Sequence, residues 1–412
     1  MYVRTQHIMN FMPDSSDTPL DSAPPETNDL IIEAVHSLDD IDREVWDACA
    51  GTDNPFVSYD FLHALEASGS ATPETGWLGS HIMLRRQSAD QVLGVAPLYI
   101  KNHSYGEYVF DHGWAHAFES AGGNYYPKLL GGVPFAPATG PRLLLHPDAD
   151  PTHYYYLMAR GIEQVAERYD LSSIHVIFNT RTEWKALQDA GWLSRTGCQY
   201  HWQNDGYSSF DDFLAALTSR KRKAIRKERA QVETSGLTMR RLTGDDLKPE
   251  HWDRLFQFYL NTSDRKWGSA YLTRDFFQRI HETMADRILL VTAEDDGEII
   301  AGAFNMIGSD TLYGRNWGCL DQYKFLHFEA CYYQAIDHAI EHGLKTVEAG
   351  AQGEHKIQRG YLPTKTYSSH FIFHPGFRTA VSEFLSQERA AIDHQTAALK
   401  QESPFKQGGD TG

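Results

Sequence analysis

The sequence predicts an α/β fold in which one module, strands then a helix then a strand, is built twice. Three observations predict it. Segments 80–86 ("SHIMLRR") and 91–110 are rich in β-branched and aromatic residues and read as strands of an antiparallel meander. A helix with Leu157, Ile162, Val165 and Tyr169 near helical spacing follows over 152–169, and then a strand, "SIHVIFN", over 173–179. The second half repeats this order, with Gly94 matching Gly302, Trp114 matching Trp317 and Ile174 matching Val347.

The elements follow in order. A short helix over 182–190 ends at Gly191, a residue suited to the left-handed turn after a helix. The separation between matched positions narrows along the chain. The first copy therefore carries an insertion over 115–151, rich in Gly, Pro and Tyr, of the length usually kept for function. Segment 209–236 predicts a helix opened by Ser209 and Asp212 at capping-box spacing and closed by Gly236. In "HWDRLFQFYLNT", Trp252, Leu255, Phe256, Tyr259 and Leu260 form an amphipathic face. Strands follow over 287–295, 298–308 and 311–318. A helix spans 328–342 and is stopped by Gly343, and strands close the copy over 345–350 and 365–373.

Composition narrows the class. The 412 residues carry 38 Lys and Arg against 55 Asp and Glu, a formal charge of −17, which argues against a general nucleic-acid coat. With 41% hydrophobic and 23% charged residues the chain reads as globular, and no apolar run reaches the ~18–20 residues of a membrane helix. Cys49, Cys198, Cys319 and Cys331 form no Cys-x-x-Cys pair and read as reduced core thiols. Residues 1–29 lack the apolar stretch of a secretory signal and read as a disordered leader, so the expected compartment is the cytoplasm.

These features resemble a known family. Two such modules with a basic helix between them are similar to the tandem acyltransferases of Fem type, within the GNAT acyltransferase superfamily. The chain resembles more closely the FemAB-like, peptidoglycan biosynthesis/recognition group. The matching stretches include "NPFVSYDFLHALE" (54–66), "YGEYVFDHGWA" (105–115), "YYPKL" (125–129), "TGPRLL" (139–144), "SRKRKAIRKER" (219–229), "YGRNWG" (313–318), "LHFEACYYQAI" (326–336) and "EAGAQGEHKIQRGYLP" (348–363).

The resemblance implies two tandem GNAT-like modules with a basic helical insert. The expected divisions are a leader at 1–29, a first module at 30–205, the insert at 206–285, a second module at 286–400 and a tail at 401–412. It implies transfer of an acyl or aminoacyl group to a small-molecule amine. Acyl-CoA or aminoacyl-tRNA would be the co-substrate, with no tightly bound cofactor. One departure bears on the donor. The Gln/Arg-x-x-Gly-x-Gly/Ala turn that holds the CoA pyrophosphate in GNAT enzymes has no counterpart in "GCLDQYKFLHFEA" (318–330) or in "GPRLLLHPDADPTHY". Its absence tilts the donor toward aminoacyl-tRNA.

Candidate residues fall in four groups. Arg220, Lys221, Arg222, Lys223, Arg226, Lys227 and Arg229 reverse the sign of an acidic chain locally. Arg222 and Arg226 are the expected phosphate ligands, because guanidinium binds phosphate bidentately. Glu348 ends a central strand, and the loop after it holds Gln352, Glu354, His355, Lys356 and Arg359. Amide formation needs a base and oxyanion donors, and Glu348, Glu354 or His355 could be the base. Arg315 and Asn316 end another strand, and His327 and Glu329 open the central helix, where an anion could be held. Arg265, Lys266 and Trp267 in "SDRKWG" read equally as site or surface. In the first copy Lys128 and His112 are expected to recognise the acceptor. Asp111, His112 and His116 do not read as a metal site, because Gly113 and the expected strand argue against the helix that His-x-x-x-His ligation needs. A non-catalytic protein binding a cell-wall precursor or other acidic ligand is the alternative reading, and RNA binding by the basic helix alone is a third. The sequence leaves the oligomeric state open.

Overall fold

Each half of the chain builds a βαβ crossover whose two strands lie parallel, and the rest of the fold holds that unit in place. In the computed structural model, residues 7–10, 29–266, 270–320, 323–350 and 353–406 are described. They group into two units. The first comprises Met1–Phe135, Thr139–Thr196 and Tyr367–Glu388, and the second Ala136–Ala138, Gly197–Thr366 and Arg389–Gly412. Residues 206–285 fall inside the second unit, and residues 367–388 return to the first.

In the first unit, strands Leu30–Val35, His81–Arg86, Gln91–Ala96 and Leu144–Leu145 form an antiparallel sheet, with His7–Asn10 on its edge. The meander ends at Lys101 rather than at Phe110. Strand Lys128–Gly131 pairs in parallel with Ser173–Asn179, with Leu129 opposite Ile174. Helix Pro151–Arg168 joins them, capped by Asp150 and opened by Pro151. It buries Leu157, Met158, Ile162 and Val165 against the core. Gly161 lets it come that close, since a Cβ there would sit 2.7 Å from the Ile32 side chain.

Two expectations are corrected here. The stretch read as a loop insertion holds helix His112–Ser120 and strand Lys128–Gly131. Trp114 therefore lies on a helix and does not correspond to Trp317, which lies on a strand. The counterpart of strand Thr311–Cys319 is Lys128–Gly131, because each is the first strand of its parallel pair. The helix also places His112 and His116 one turn apart, against the expectation of a strand. Among the described residues no group of three His, Cys, Asp or Glu side chains could hold a metal ion.

In the second unit the pairing order runs Thr238–Leu242, Ile288–Asp295, Glu298–Ile307, Thr311–Cys319, Thr346–Glu348 and then residues 201–203. Asp296 and Gly297, both with positive φ, make the tight turn that joins the second and third of these strands. The parallel pair runs Thr311↔Thr346, Leu312↔Val347, Tyr313↔Glu348, and there the pairing stops. A π-helical turn over Glu329–Tyr333 interrupts the connecting helix between Leu326–Phe328 and Gln334–Glu341.

The expected single basic helix is two helices, Phe210–Ala216 and Ser219–Glu233. The C-terminal segment sits at the break. The Thr218 amide donates to the Pro404 carbonyl (2.9 Å), and the Lys406 amide to that of Ala216 (3.0 Å). Ser209 caps the first helix by accepting from the Asp212 amide. The Asp212 carboxylate accepts from the Ser208 amide instead of completing the box. Helix Pro249–Lys266 buries Trp252, Leu255 and Tyr259 as the periodicity predicts, and Phe258 as well. Among the described residues no helix is long and apolar enough to cross a membrane.

Candidate functional site

The end of the parallel pair in the second unit gathers the largest share of the expected residues. Glu348 is the last residue of its strand and is buried. Next to it, strand Thr311–Cys319 carries a β-bulge. Phe304 pairs with Asn316 and Asn305 with Gly314, so Arg315 is the extra residue with no place in the ladder. Bulges re-aim side chains and recur beside functional sites. Arg315 Nη2 lies 3.7 Å from Glu348 Oε2.

His201, on strand Leu193–Gln203, brings Nε2 to 3.8 Å from Glu348 Oε1 and 3.1 Å from Gln199 Oε1. Gln199 donates its amide to the Pro137 carbonyl (2.9 Å), so its oxygen faces the imidazole and assigns the proton to Nε2. Burial, with Arg315 and Lys356 adding to it, pushes the His201 pKa down to about 3. The contact with Glu348 is thus one between a carboxylate and a neutral ring. Burial, and then the Glu348 charge, push the Tyr313 hydroxyl well up.

Beyond Glu348 the two strands part. The carbonyls of Ala349 and Gly350 accept from buried Lys356 Nζ at 2.6 and 3.0 Å. Burial pushes Lys356 down to about 8, with Cys331 opposing the shift and Arg315 adding to it. The next residue back, His355, is exposed and meets the Tyr332 hydroxyl at 3.0 Å. Burial, Lys356 and Arg359 lower its pKa. The His327 ring lies 5.3 Å from Tyr332 and 6.3 Å from His355, so the π-helical turn and the loop share one aromatic wall.

Other expected residues are engaged inside the fold. Arg359 stacks 3.4 Å over Phe328 and pairs with Glu228 at 2.9 Å. Glu329 accepts from Arg229 (3.0 Å) and Gln334 (2.8 Å), and Arg229 also holds Asp337 (2.7 Å). On the basic helix, Lys221 bonds Gln358, Arg222 reaches the Ala215 carbonyl (3.5 Å) and Arg226 pairs with Asp211 (2.8 Å). Arg220, Lys223 and Lys227 are exposed and share one face, with no ion pair or hydrogen bond among the described residues. Glu354 is exposed, and Asn316 is half-buried on the bulged strand. Gln352, Trp267 and the side chains of Arg265 and Lys266 lie outside the described residues.

In the first unit the expectation for Lys128 is corrected. Its ammonium is fully buried and donates to Ser104 (2.7 Å), Glu107 (2.8 Å) and Asp111 (2.5 Å), which removes it from ligand contact. His112 is exposed on its helix. Sequence reasoning missed His201, Gln199, Tyr332 and Glu228. His201 stands in an alternating strand pattern where a buried polar residue carries no signal of its own.

The comparisons bear on this geometry. A family model, FemAB-like, described as peptidoglycan biosynthesis/recognition, matches residues 37–407. No curated protein matches the chain in sequence. Among solved structures, FemX superposes with a TM-score of 0.52 at 12% identity, over 85% of this chain and 100% of that one. The C-terminal domain of a putative lysylphosphatidylglycerol synthetase from Agrobacterium fabrum superposes with a TM-score of 0.51 at 10% identity, over 83% and 96%. At these identities the likeness is one of fold.

Proposed function

The chain belongs to the FemAB-like family, and from that premise we propose that its second unit transfers an acyl or aminoacyl group to an amine. The observation that carries the reading is the cluster of Glu348, Arg315 and His201 where the parallel strands part. Glu348 is assigned as the base that takes a proton from the attacking ammonium, with the neutral His201 ring beside its carboxylate. The amine then adds to the acyl carbonyl. The Arg315 guanidinium, re-aimed by the bulge and 3.7 Å from Glu348, is assigned to the tetrahedral oxyanion. Collapse forms the amide, and the second proton shed by the nitrogen leaves with the donor's oxygen or sulfur. Lys356 keeps the strands apart by holding the first two loop carbonyls.

The donor in this reading is an aminoacyl-tRNA. The exposed cations Arg220, Lys223 and Lys227 support it, as a row that phosphates can neutralise. The absent pyrophosphate turn supports it too. The acceptor is the amine of a cell-wall precursor, in keeping with the family description.

The test offers the purified protein aminoacyl-tRNA and acyl-CoA donors with peptidoglycan precursor peptides, and reads the mass of the acceptor. Transfer from aminoacyl-tRNA is expected. Glu348→Gln is expected to slow it by roughly 10²–10⁴-fold, with donor affinity kept. Tight precursor binding with no mass gain from either donor would make this a recognition protein and overturn the proposal.

A further inference from the structure

Helix Ser219–Glu233 has two working faces, and both lie in the second unit. Arg220, Lys223 and Lys227 share the outward face. Lys221, Ile225, Glu228 and Val232, at helical spacing, share the inward one, where Ile225 and Val232 are buried. Glu228 is the single acid among the seven cations of residues 220–229. Its carboxylate accepts from Arg359 Nη2 at 2.9 and 3.1 Å and from the Tyr333 hydroxyl, and Lys221 bonds Gln358. Arg359 in turn closes the short helical turn Glu354–Arg359, its Nη1 donating to the His355 carbonyl (2.9 Å). Lys356 in that turn holds the carbonyls of Ala349 and Gly350, the two residues after Glu348. An unbroken run of contacts therefore leads from the basic helix to the assigned base. Gly353 and Gly360, both with positive φ, bound the turn, and glycine has the most backbone freedom to lose on ordering, so the turn leans on these contacts.

The first half of this helix is built to be marginal. Thr218 makes no side-chain cap bond, and the first turn holds Arg220, Lys221 and Arg222 with no acid, the reverse of what the helix dipole favours. Arg220 and Lys223 stand three apart, Arg222 and Arg226 four apart, and Lys223 and Lys227 four apart, spacings at which like charges repel. Of these cations only Arg226 has an ion pair among the described residues, with exposed Asp211 (2.8 Å), a contact that water screens. Arg229 anchors the far half through Glu329 and Asp337 (3.0 and 2.7 Å). The half left to be ordered is the one that carries the cations, and Glu228 stands at the junction. A polyanion laid along the outward face removes the repulsion and suits the helix start, so it orders that half.

Resting on the aminoacyl-tRNA reading above, we propose that Glu228 is a positioning residue that makes the transfer site answer to the bound polyanion. Phosphates on the outward face order the helix. Glu228 passes that order to Arg359, and the turn behind Glu348 firms with it. The helix is then one element whose equilibrium both sites bias, which is what coupling between sites requires. Without the polyanion the turn is looser and transfer slower, so a bound donor is spent only when its nucleic-acid part is seated.

Hydrogen exchange on the full chain reads this coupling without turnover. Saturating uncharged tRNA should slow exchange over residues 354–360 at least ~5-fold in the wild type. Glu228→Gln should still bind tRNA, its outward face being intact, and should lose that slowing, while Glu228→Asp restores part of it. Val232→Ala weakens the packing of the same helix without touching the bonds of Glu228, and should keep the response. In transfer, Glu228→Gln should lower kcat at saturating aminoacyl-tRNA by roughly 10–100-fold, the cost of a misplaced site. A turn that responds equally in the wild type and in Glu228→Gln, or not at all in the wild type with tRNA bound, overturns the coupling and leaves the transfer reading standing. Equal loss of the response in Val232→Ala and Glu228→Gln makes Glu228 part of the packing and overturns it too. A wild type that binds no tRNA overturns the donor reading, and the coupling with it.

Discussion

Replacing Lys128 by Met tests the buried charge cluster of the first unit. The ammonium is fully enclosed and answers two carboxylates, each about 2% exposed, through bonds of 2.8 Å to Glu107 and 2.5 Å to Asp111. Burial works to raise Asp111, but Lys128, with help from His175, overrides it and holds Asp111 far below the usual range. Glu107 is pushed up to about 7, where burial outweighs Lys128. Methionine fills much the same volume but removes the cation both acids bond, leaving only Lys101 nearby, which burial pushes down to about 7. Breaking a buried pair in this way costs about 3–5 kcal/mol. At roughly 2–4 °C per kcal/mol for a unit of this size, the melting point falls by about 10 °C at pH 7.5. The loss must shrink in acid. In the wild type Asp111 stays ionised down to low pH, whereas in the variant it can take a proton in the folded state while the unfolded chain stays ionised. One extra proton over two pH units returns about 2.7 kcal/mol. Scanning calorimetry at pH 7.5 and 5.5 reads both numbers. A loss under about 1 kcal/mol, or one equal at the two pH values, refutes the reasoning.

Further outcomes are expected. Replacing Arg220, Lys223 and Lys227 by Ala should weaken tRNA binding and flatten its salt dependence by about 0.7–0.9 log units per lost phosphate contact, read by filter binding across a salt series. Phe405→Ala should cost about 1–3 kcal/mol, because Phe405 packs on the core beside Leu217 and the segment around it bonds the break before the basic helix. Hydrogen exchange should then speed up around residues 216–222. His201 and His175, both pushed down to about 3, and His338, pushed down to about 4, mainly by burial, are neutral when folded. The unfolded chain binds more protons below pH 6.5, so stability falls from there by roughly 1.4 kcal/mol per pH unit for each histidine, down to about pH 4 for His338 and about pH 3 for the other two. His201→Asn should remove one such increment from the measured slope.

The modules were legible because periodicity survives folding. Helix Pro151–Arg168 and strand Ser173–Asn179 stand within a residue or two of their expected bounds, since the apolar spacing that marks them is the spacing that buries them. Strand Lys128–Gly131 was hidden because it is four residues long and opens with a buried lysine, against every strand preference. The break at Leu217–Thr218 was hidden for another reason. The amide and carbonyl at that break are satisfied by residues 404–406, nearly two hundred positions away, and no local pattern encodes such a partner. The same holds at the candidate site. Glu348 could be picked out because it ends a strand, whereas His201 reaches it from a strand that is distant in sequence. Arg359 and Glu329 read as ligands because charge beside a loop looks the same whether its partner is a substrate or Glu228 and Arg229.

The duplicated parallel pair gives a last test, because its two copies end differently. In the first unit the place beside the strand end is filled. Arg142 is buried, its Nε donates to the Ile177 carbonyl (3.0 Å), its Nη1 to that of Pro141 (2.9 Å), and its amide to Glu183 (2.6 Å). The strand there ends in Asn179, which is also buried and has no acid or base to offer. In the second unit the strand ends in a carboxylate flanked by Arg315 and His201, and Lys356 draws the next carbonyls away. One end is packed as structure and the other is assigned to chemistry, so the two should respond oppositely in turnover. Arg142→Ala leaves the Ile177 carbonyl buried without its donor and opens a void, which should cost about 2–4 kcal/mol. Transfer should be unchanged at a temperature where the variant is folded. Glu348→Gln keeps shape and volume but takes a counter-charge from buried Arg315, so it too should lower the melting point, while transfer, read at a temperature where the variant is folded, falls by the factor given above. Stability and turnover measured on both variants give four numbers. Lost turnover in folded Arg142→Ala, or full turnover in Glu348→Gln, would move the reaction out of the second unit's strand end.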